Sequence, residues 1–166
     1  MYMNWYDVDN EGYPRYFRFE EDFVEDNIRC IPMIVRFKLD ACGIKLKLAQ
    51  WSRFTAQERK QLGDQPCVTA EQIDAYRLFL QRLIAMRTGH DATLLEIEAT
   101  PAWADSDRIL PDLQQQARLI GSEISIPQWK SLGMLQRFAL LKLCRPGHEN
   151  RNFPIAMKEF GLFNNK

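Results

Sequence analysis

Residues 43–62 read GIKLKLAQWSRFTAQERKQL, and residues 121–140 read GSEISIPQWKSLGMLQRFAL. At an offset of 78 positions the two stretches are identical at five of twenty positions, including a Gln-Trp pair at a fixed distance from a glycine. Tryptophan is rare, so this match indicates an internal repeat, and repeats are packing units. The sequence therefore predicts a mainly α-helical fold built from two similar helix–short strand–helix units.

Capping residues mark the ends of the predicted helices in the first half of the chain. Pro32 suits the first turn of a helix, and Gly43 suits the position just past its end. Thr55-Ala-Gln-Glu and Thr69-Ala-Glu-Gln are capping boxes that open two further helices. The second of these has apolar residues at spacings of three and four and is closed by Gly89, which predicts an amphipathic helix of four to five turns.

The second half of the chain shows similar signals. Helices are predicted over Pro111–Ile120, from Pro127, over Met134–Cys144 and from Pro154 to Gly161. Alternating apolar residues predict short strands at 44–48 and 124–126, at Phe17–Phe19 and around Leu95. We expect the strands of the two units to pair side by side as a small two-stranded β ribbon.

Length and composition limit the class of protein. The 166 residues suit a single helical domain over residues 16–166, preceded by a loosely ordered N-terminal arm at residues 1–15. A formal net charge of zero argues against nucleic-acid binding that depends on bulk electrostatic attraction and leaves a local basic face as the alternative. No signal peptide and no apolar run of about 20 residues is present, so we expect a cytoplasmic protein without membrane contact.

Metal-ligating residue types come close together in one place, at Cys144 and His148. A zinc site would need two further ligands, and the scattered Cys30, Cys42 and Cys67 do not supply them at a recognisable spacing. The alternative is that Cys144 is a buried helix residue and His148 hydrogen-bonds within a turn. No phosphate-binding loop, HExxH or GxSxG motif occurs, so we predict no catalytic residues, no cofactor and no enzymatic activity.

Two polar stretches are candidate partner-binding surfaces. The first is a dense row of donors and acceptors between two apolar helices, and dense polar loops often recognise partners. It comprises Arg145, His148, Glu149, Asn150, Arg151 and Asn152. The alternative is that these groups satisfy one another or cap the last helix. The second stretch contains Arg36 and Lys38, close to Lys45 and Lys47, and is either a modest patch that binds an anion or nucleic acid or simply the solvated face of a short ribbon.

Three blocks of the sequence carry a resemblance to a known family. They read CIPMIVRFKLDACGIKLKL at residues 30–48, LQRFALLKLCRPGHENRNF at 135–153 and KEFGL at 158–162. With these blocks the chain resembles the nitrate reductase-associated protein family from about Phe19 to Leu162, nearly its whole length. The family consists of small proteins found chiefly in cyanobacteria, commonly encoded beside genes for assimilatory nitrate reductase and the molybdenum cofactor.

The resemblance implies an accessory role in nitrate assimilation. A member would help assimilatory nitrate reductase become or stay active, by shielding the apo-enzyme, assisting cofactor loading or aiding electron delivery. No catalytic motif is defined within the matching blocks, so no active-site residues carry over. Our hypothesis is a chaperone-like protein partner of the reductase; a small metal- or redox-binding protein that uses Cys144 and His148, or a nucleic-acid-binding regulator, is the alternative.

Overall fold

The structure is a computed structural model that describes residues 16–20 and 30–163. The chain divides between Glu98 and Ala99 into two compact units. The described helices are α1 (Met33–Cys42), α2 (Leu48–Trp51), α3 (Ala56–Asp64), α4 (Ala70–Thr88), α5 (Pro111–Leu119), α6 (Ile126–Ser131), α7 (Met134–Leu143) and α8 (Phe153–Glu159). A two-stranded sheet joins β1 (Ile44–Lys45) to β2 (Thr93–Leu94).

This architecture confirms the predicted mainly α-helical class with a small two-stranded ribbon. The single domain over residues 16–166 stays a prediction, and the predicted arm at residues 1–15 lies outside the described residues. Among residues 16–20 and 30–163, no helix combines the length and the apolar character that crossing a bilayer requires.

The first unit is centred on α1 and α4, which pack against each other. Pro32 precedes α1, and Gly43 ends it in the left-handed conformation with a φ of 68°, as its sequence predicts. Val35 and Cys42 on α1 are fully buried. From α4, Tyr76, Leu80 and Ile84 are also fully buried, so the predicted amphipathic face is the face that enters the core.

Both predicted capping boxes form. The Thr55 hydroxyl accepts a hydrogen bond from the Glu58 amide at 3.2 Å, and the Glu58 carboxylate accepts one from the Thr55 amide at 2.8 Å. Thr69 and Gln72 repeat the arrangement at the start of α4, at 3.2 and 3.1 Å. These local contacts fix where α3 and α4 begin, because they satisfy amides that have no partner within the helix.

The ribbon differs from its prediction. β1 pairs antiparallel with β2, in the register Ile44 to Leu94 and Lys45 to Thr93. The predicted strand at 44–48 ends early, because the Gln50 side chain accepts a hydrogen bond from the Lys47 amide at 2.9 Å and starts α2. The strand predicted around Leu95 lies slightly earlier, at β2.

Between residues 99 and 163, the described part of the second unit, no β-strand forms. α5 begins at Pro111 as predicted, and Gly121 follows it with a φ of 76°. The predicted strand at 124–126 is wrong, because the Gln114 side chain donates to the Ile124 carbonyl at 2.8 Å and accepts from its amide at 2.9 Å. One side chain thus takes the hydrogen bonds that a neighbouring strand would make, and Ser125 then caps α6.

The core of the second unit forms between α7 and α8, which contact each other directly. Trp129 on α6, Phe138 and Leu140 on α7, and Phe153 and Met157 on α8 are at most 1% exposed. The Ser122 hydroxyl donates to the Leu162 carbonyl at 3.1 Å and fastens the end of the described chain. The helix predicted over Met134–Cys144 is therefore α7, and it supplies much of this core.

The predicted strand at Phe17–Phe19 is also wrong. Residues Arg18–Glu20 form a 3-10 turn, and the Phe17 and Phe19 rings stack with centroids 5.3 Å apart. The buried Glu20 carboxylate accepts from the Met33 amide at 2.6 Å and from the Phe17 amide at 3.2 Å. Because the carboxylate binds both amides, it closes the turn and caps the start of α1. The alternation of apolar residues at Phe17–Phe19 gives no sign of this contact.

The helices of the two units start at matching positions. The pairs α1 and α5, α2 and α6, and α3 and α7 each begin 78 positions apart, the offset of the aligned stretches. Trp51 and Trp129, the two aligned tryptophans, are both buried. The short strand does not recur, however, so a repeat of the whole helix–strand–helix unit stays a prediction.

Candidate functional site

Residues 145–152 connect α7 to α8 by a short, well-defined turn. Gly147 adopts a φ of 144° and a ψ of −176°, which only glycine accommodates without strain. Residues His148–Asn152 then form a 3-10 helix that leads into α8 at Phe153. The polar row predicted from the sequence therefore lies on a turn of fixed shape.

Asn150 holds this turn in place from the inside. Its side-chain amide donates to the Leu143 carbonyl at 3.1 Å, and its carbonyl oxygen accepts from the Gln116 side chain at 3.3 Å. Asn150 thereby joins α5, the end of α7 and the turn. For this residue the alternative given above applies, because both polar atoms of its side chain are hydrogen-bonded within the fold.

Three basic side chains of the turn point into solvent: Arg145, His148 and Arg151 are exposed. We call these three residues the turn surface. Glu149 and Asn152 are only half-buried, and Glu149 makes a contact of its own. The predicted polar stretch therefore contains two kinds of residue: Asn150 anchors the turn to the fold, and the residues of the turn surface are exposed.

Cys144 lies beneath the turn surface rather than in it. Its thiol donates to the Leu141 carbonyl at 3.4 Å, and burial raises its pKa, opposed in part by the cation of Arg145. His148 is exposed on the other side of Gly147. In the part of the chain that the structure describes, no three His, Cys, Asp or Glu side chains converge in a group that could hold a metal ion.

The second predicted surface is corrected at Lys38. Arg36 is half-buried, whereas Lys38 is 1% exposed. The Lys38 ammonium donates to the carbonyls of Leu62 at 3.5 Å, Gln65 at 2.7 Å and Gly63. Those carbonyls lie at the C-terminal end of α3, where a cation is favoured and carbonyls lack helical partners. Lys38 caps a helix inside the first unit and is not available to a partner.

The Tyr76 ring lies beside the Lys38 ammonium, and the buried Cys67 thiol donates to the Lys38 carbonyl at 4.0 Å. The ammonium nitrogen lies 5.7 Å from the centre of the Tyr76 ring, and the Tyr76 hydroxyl donates to the Leu62 carbonyl at 2.9 Å. Burial lowers the pKa of Lys38 to about 8 and raises the pKa of Cys42 to about 11 and of Cys67 to about 12. The same burial that lowers the pKa of the lysine therefore disfavours the thiolate form of both cysteines.

Sequence reasoning missed Arg137. This arginine lies on α7 and is 5% exposed, with its guanidinium carbon 5.8 Å from the centre of the Trp129 ring. Its Nε and Nη1 atoms are buried and have no hydrogen-bond partner among the described residues. The sequence offered one sign of its burial. Arg137 aligns with Arg59 in the internal repeat and lies among the apolar residues that form α7.

These features define the class: a helical protein with buried thiols, a basic turn surface and no recognisable catalytic motif. The comparison with family models identifies the family. The model of the conserved nitrate reductase-associated protein matches residues 16–160, and the chain belongs to that family. Neither a curated protein nor a solved structure matches the chain.

Proposed function

We propose that this chain is a non-enzymatic accessory protein of assimilatory nitrate reductase that binds the reductase through the turn surface of Arg145, His148 and Arg151. Membership of the nitrate reductase-associated family supports the choice of partner. A cytoplasmic location belongs to the same proposal, and cysteines without disulfide bonds, as at Cys42, Cys67 and Cys144, suit a reducing compartment.

The shape of the turn carries the proposal. Gly147 and the two hydrogen bonds of Asn150 fix the backbone before any partner arrives. A pre-formed surface loses less conformational entropy on binding than a flexible loop does. Arginine is also among the residues that contribute most to interface energies, so Arg145 and Arg151 are the expected anchors.

The charge of the turn surface indicates what it meets. The two arginines favour an acidic face on the reductase, since complementary charge increases the association rate and fixes the orientation. The proposed assistance is chaperone-like: the accessory protein stabilises the reductase, or holds it during maturation, by surface complementarity alone. It requires no reaction on the accessory protein itself.

A binding experiment with matched charge reversals tests the proposal. The purified chain is immobilised, and nitrate reductase binding is measured for the wild type, for the double variant Arg145→Glu/Arg151→Glu and for Arg108→Glu. Arg108 is an exposed arginine of the same unit that lies outside the turn. We expect the double variant to bind at least about tenfold more weakly, with a reduced salt dependence, and Arg108→Glu to bind normally.

Two results would contradict the proposal. Equal binding by the double variant and the wild type would remove the turn surface from the interface. No binding by the wild type, together with unchanged reductase activity in cells that lack the chain, would remove the accessory role altogether.

A further inference from the structure

The ribbon is open along the outer side of β2. Its ladder continues one residue past β2, since the Leu95 amide donates to the Gly43 carbonyl at 2.8 Å. Successive residues of an antiparallel strand direct their backbone groups to opposite sides, so the N–H and C=O groups of Leu94 and Glu96 point away from β1. Within the described chain these groups have no hydrogen-bond partner. We call residues 94–98 the β2 edge.

The side chains of the β2 edge are exposed although most of them are apolar. Alternation along an extended chain places Leu95 and Ile97 on one face, and Leu94, Glu96 and Glu98 on the other. The exposed fractions are 62% for Leu94, 47% for Leu95 and 45% for Ile97. An open edge with apolar side chains is a template on which another extended segment can pair.

The charge of the β2 edge decides which kind of segment fits. The carboxylates of Glu96 and Glu98 are exposed, and in the described chain neither of them forms an ion pair. Asp91, before β2, is a further exposed acid. Lys45 is paired with Thr93 on β1, which lies on the opposite side of β2 from an added strand. Basic side chains on an added strand would therefore meet negative charge that has no other partner.

The same charge disfavours a second copy of this chain as the occupant. If β2 paired with the β2 strand of another molecule, each copy would bring its own Glu96 and Glu98 to the shared edge. Like charges on neighbouring strands destabilise the pairing. The complementary segment is basic on the face that meets the two glutamates and apolar on the face that meets Leu95 and Ile97.

We propose that the β2 edge binds, by strand addition, an extended peptide segment of a partner protein in which basic and apolar residues alternate. The backbone groups of Leu94 and Glu96 supply the hydrogen bonds, and the alternating side chains supply the specificity. This inference does not depend on the proposed function, because the turn surface belongs to the second unit and the β2 edge to the first.

Peptide binding to the full chain tests the inference. The probe is a short synthetic peptide of alternating lysine and valine with a fluorescent label, and anisotropy measures its binding to the wild type and to two double variants. Glu96→Lys/Glu98→Lys reverses the charge of the β2 edge, and Glu71→Lys/Asp74→Lys reverses two exposed acids of α4 as the matched control. We expect the edge variant to bind at least about tenfold more weakly and the control to bind like the wild type.

Two N-methylated forms of the peptide test the backbone contacts. An added strand directs the amides of alternate residues to β2 and the others to solvent. Methylation of either all lysine amides or all valine amides therefore blocks binding in one peptide and spares it in the other. We expect the lysine set to be the sensitive one for an antiparallel strand, and the valine set for a parallel strand.

Proteolysis locates the bound peptide on the chain. The unmethylated peptide should slow cleavage by a glutamate-specific protease after Glu96 and Glu98, because an added strand covers this segment. Cleavage after Glu58, which lies in α3, should proceed at the same rate with and without the peptide.

Several outcomes would overturn the inference. One is the absence of saturable binding by the wild type at peptide concentrations up to about 1 mM. Another is equal binding by Glu96→Lys/Glu98→Lys and the wild type. Retention of binding by both methylated peptides would mean attraction between side chains alone, and loss by both would mean a contact other than an added strand. The methylated peptides are tested on the wild type, so this result does not depend on the folding of any variant.

Discussion

Lys38 was predicted to lie on a basic surface, but it is buried and caps the C-terminal end of α3. In the sequence it stands beside Arg36 in what resembles a solvated basic stretch. In the structure its ammonium is buried against carbonyls of residues 62–65, more than twenty positions along the chain. The amphiphilic lysine side chain makes both settings possible, and only tertiary packing decides between them.

The buried ammonium predicts how stability depends on pH. The pKa of Lys38 is lowered from 10.5 to about 8 by burial, so the cost of burying the charge is fully present below pH 8. Between pH 8 and 10.5 the folded state releases the proton first, and the free energy of unfolding rises with pH. We expect Lys38 to contribute an increase of roughly 1 kcal/mol between pH 7 and pH 9.

Denaturant unfolding of the wild type and of Lys38→Met at several pH values measures this contribution. The difference between the two proteins isolates Lys38 from Cys42 and Cys67, whose raised pKa values make stability fall above pH 9 as the unfolded thiols ionise. A pH-independent difference would show that the Lys38 ammonium is not desolvated.

Among the elements, the two-stranded ribbon depends most on a single residue. Gly43 ends α1 with a φ of 68° and sits directly under the chain that leaves β2. A Cβ atom at this position would lie 2.7 Å from the Leu95 carbonyl oxygen and 2.9 Å from Cγ1 of Ile97. The Gly43 carbonyl also accepts from the Leu95 amide at 2.8 Å, so the two backbones cannot separate without losing the ribbon.

Gly43→Ala should therefore destabilise the protein by more than the left-handed conformation alone requires. Gly121 provides the matched control, because it has a φ of 76° and nothing within 4 Å of a Cβ position. We expect Gly121→Ala to cost about 1–2 kcal/mol and Gly43→Ala at least about 2 kcal/mol more than that, as measured by urea unfolding. Equal losses in the two variants would mean that the close approach at Leu95 is not maintained.

Elements were predictable where their signals are local. Thr55 and Thr69 fix helix starts through contacts three residues away, and Gly43 and Gly89 end helices by their own conformation. The ribbon was predicted to exist but not to join β1 to β2, since strand pairing over long separations leaves no mark in either strand. In the same way, the sequence marked residues 145–152 as a polar loop and left open whether its groups meet a partner or satisfy one another, and it did not reveal the internal anchoring by Asn150.

At the scale of the whole molecule, an exposed connection in the chain contains the division between the two compact units. Residues 93–100 are all exposed, and from residue 95 onward they have no helix or strand. Glu96 and Glu98 lie in this connection, next to the division between the units at Glu98 and Ala99. Exposed segments without regular hydrogen bonds are the preferred sites of limited proteolysis.

A glutamate-specific protease should cut the native protein after Glu96 or Glu98 before it cuts at Glu58 or Glu159, which lie within helices. Mass spectrometry of a time course identifies the cuts, and the glutamates in helices serve as internal controls. Earlier cleavage at Glu58 would show that α3 opens more readily than the connection does.

The register of the ribbon has a consequence for how the chain acquires its structure. Ile44 and Leu94 are paired although they lie fifty positions apart in the sequence, and α2, α3 and α4 lie between them. Closing so long a loop carries an entropic penalty that local helices do not incur, and non-local pairings slow folding. During synthesis the ribbon cannot form until Leu94 has left the ribosome. The segments of α1 to α4 are therefore synthesised before β1 can pair with β2.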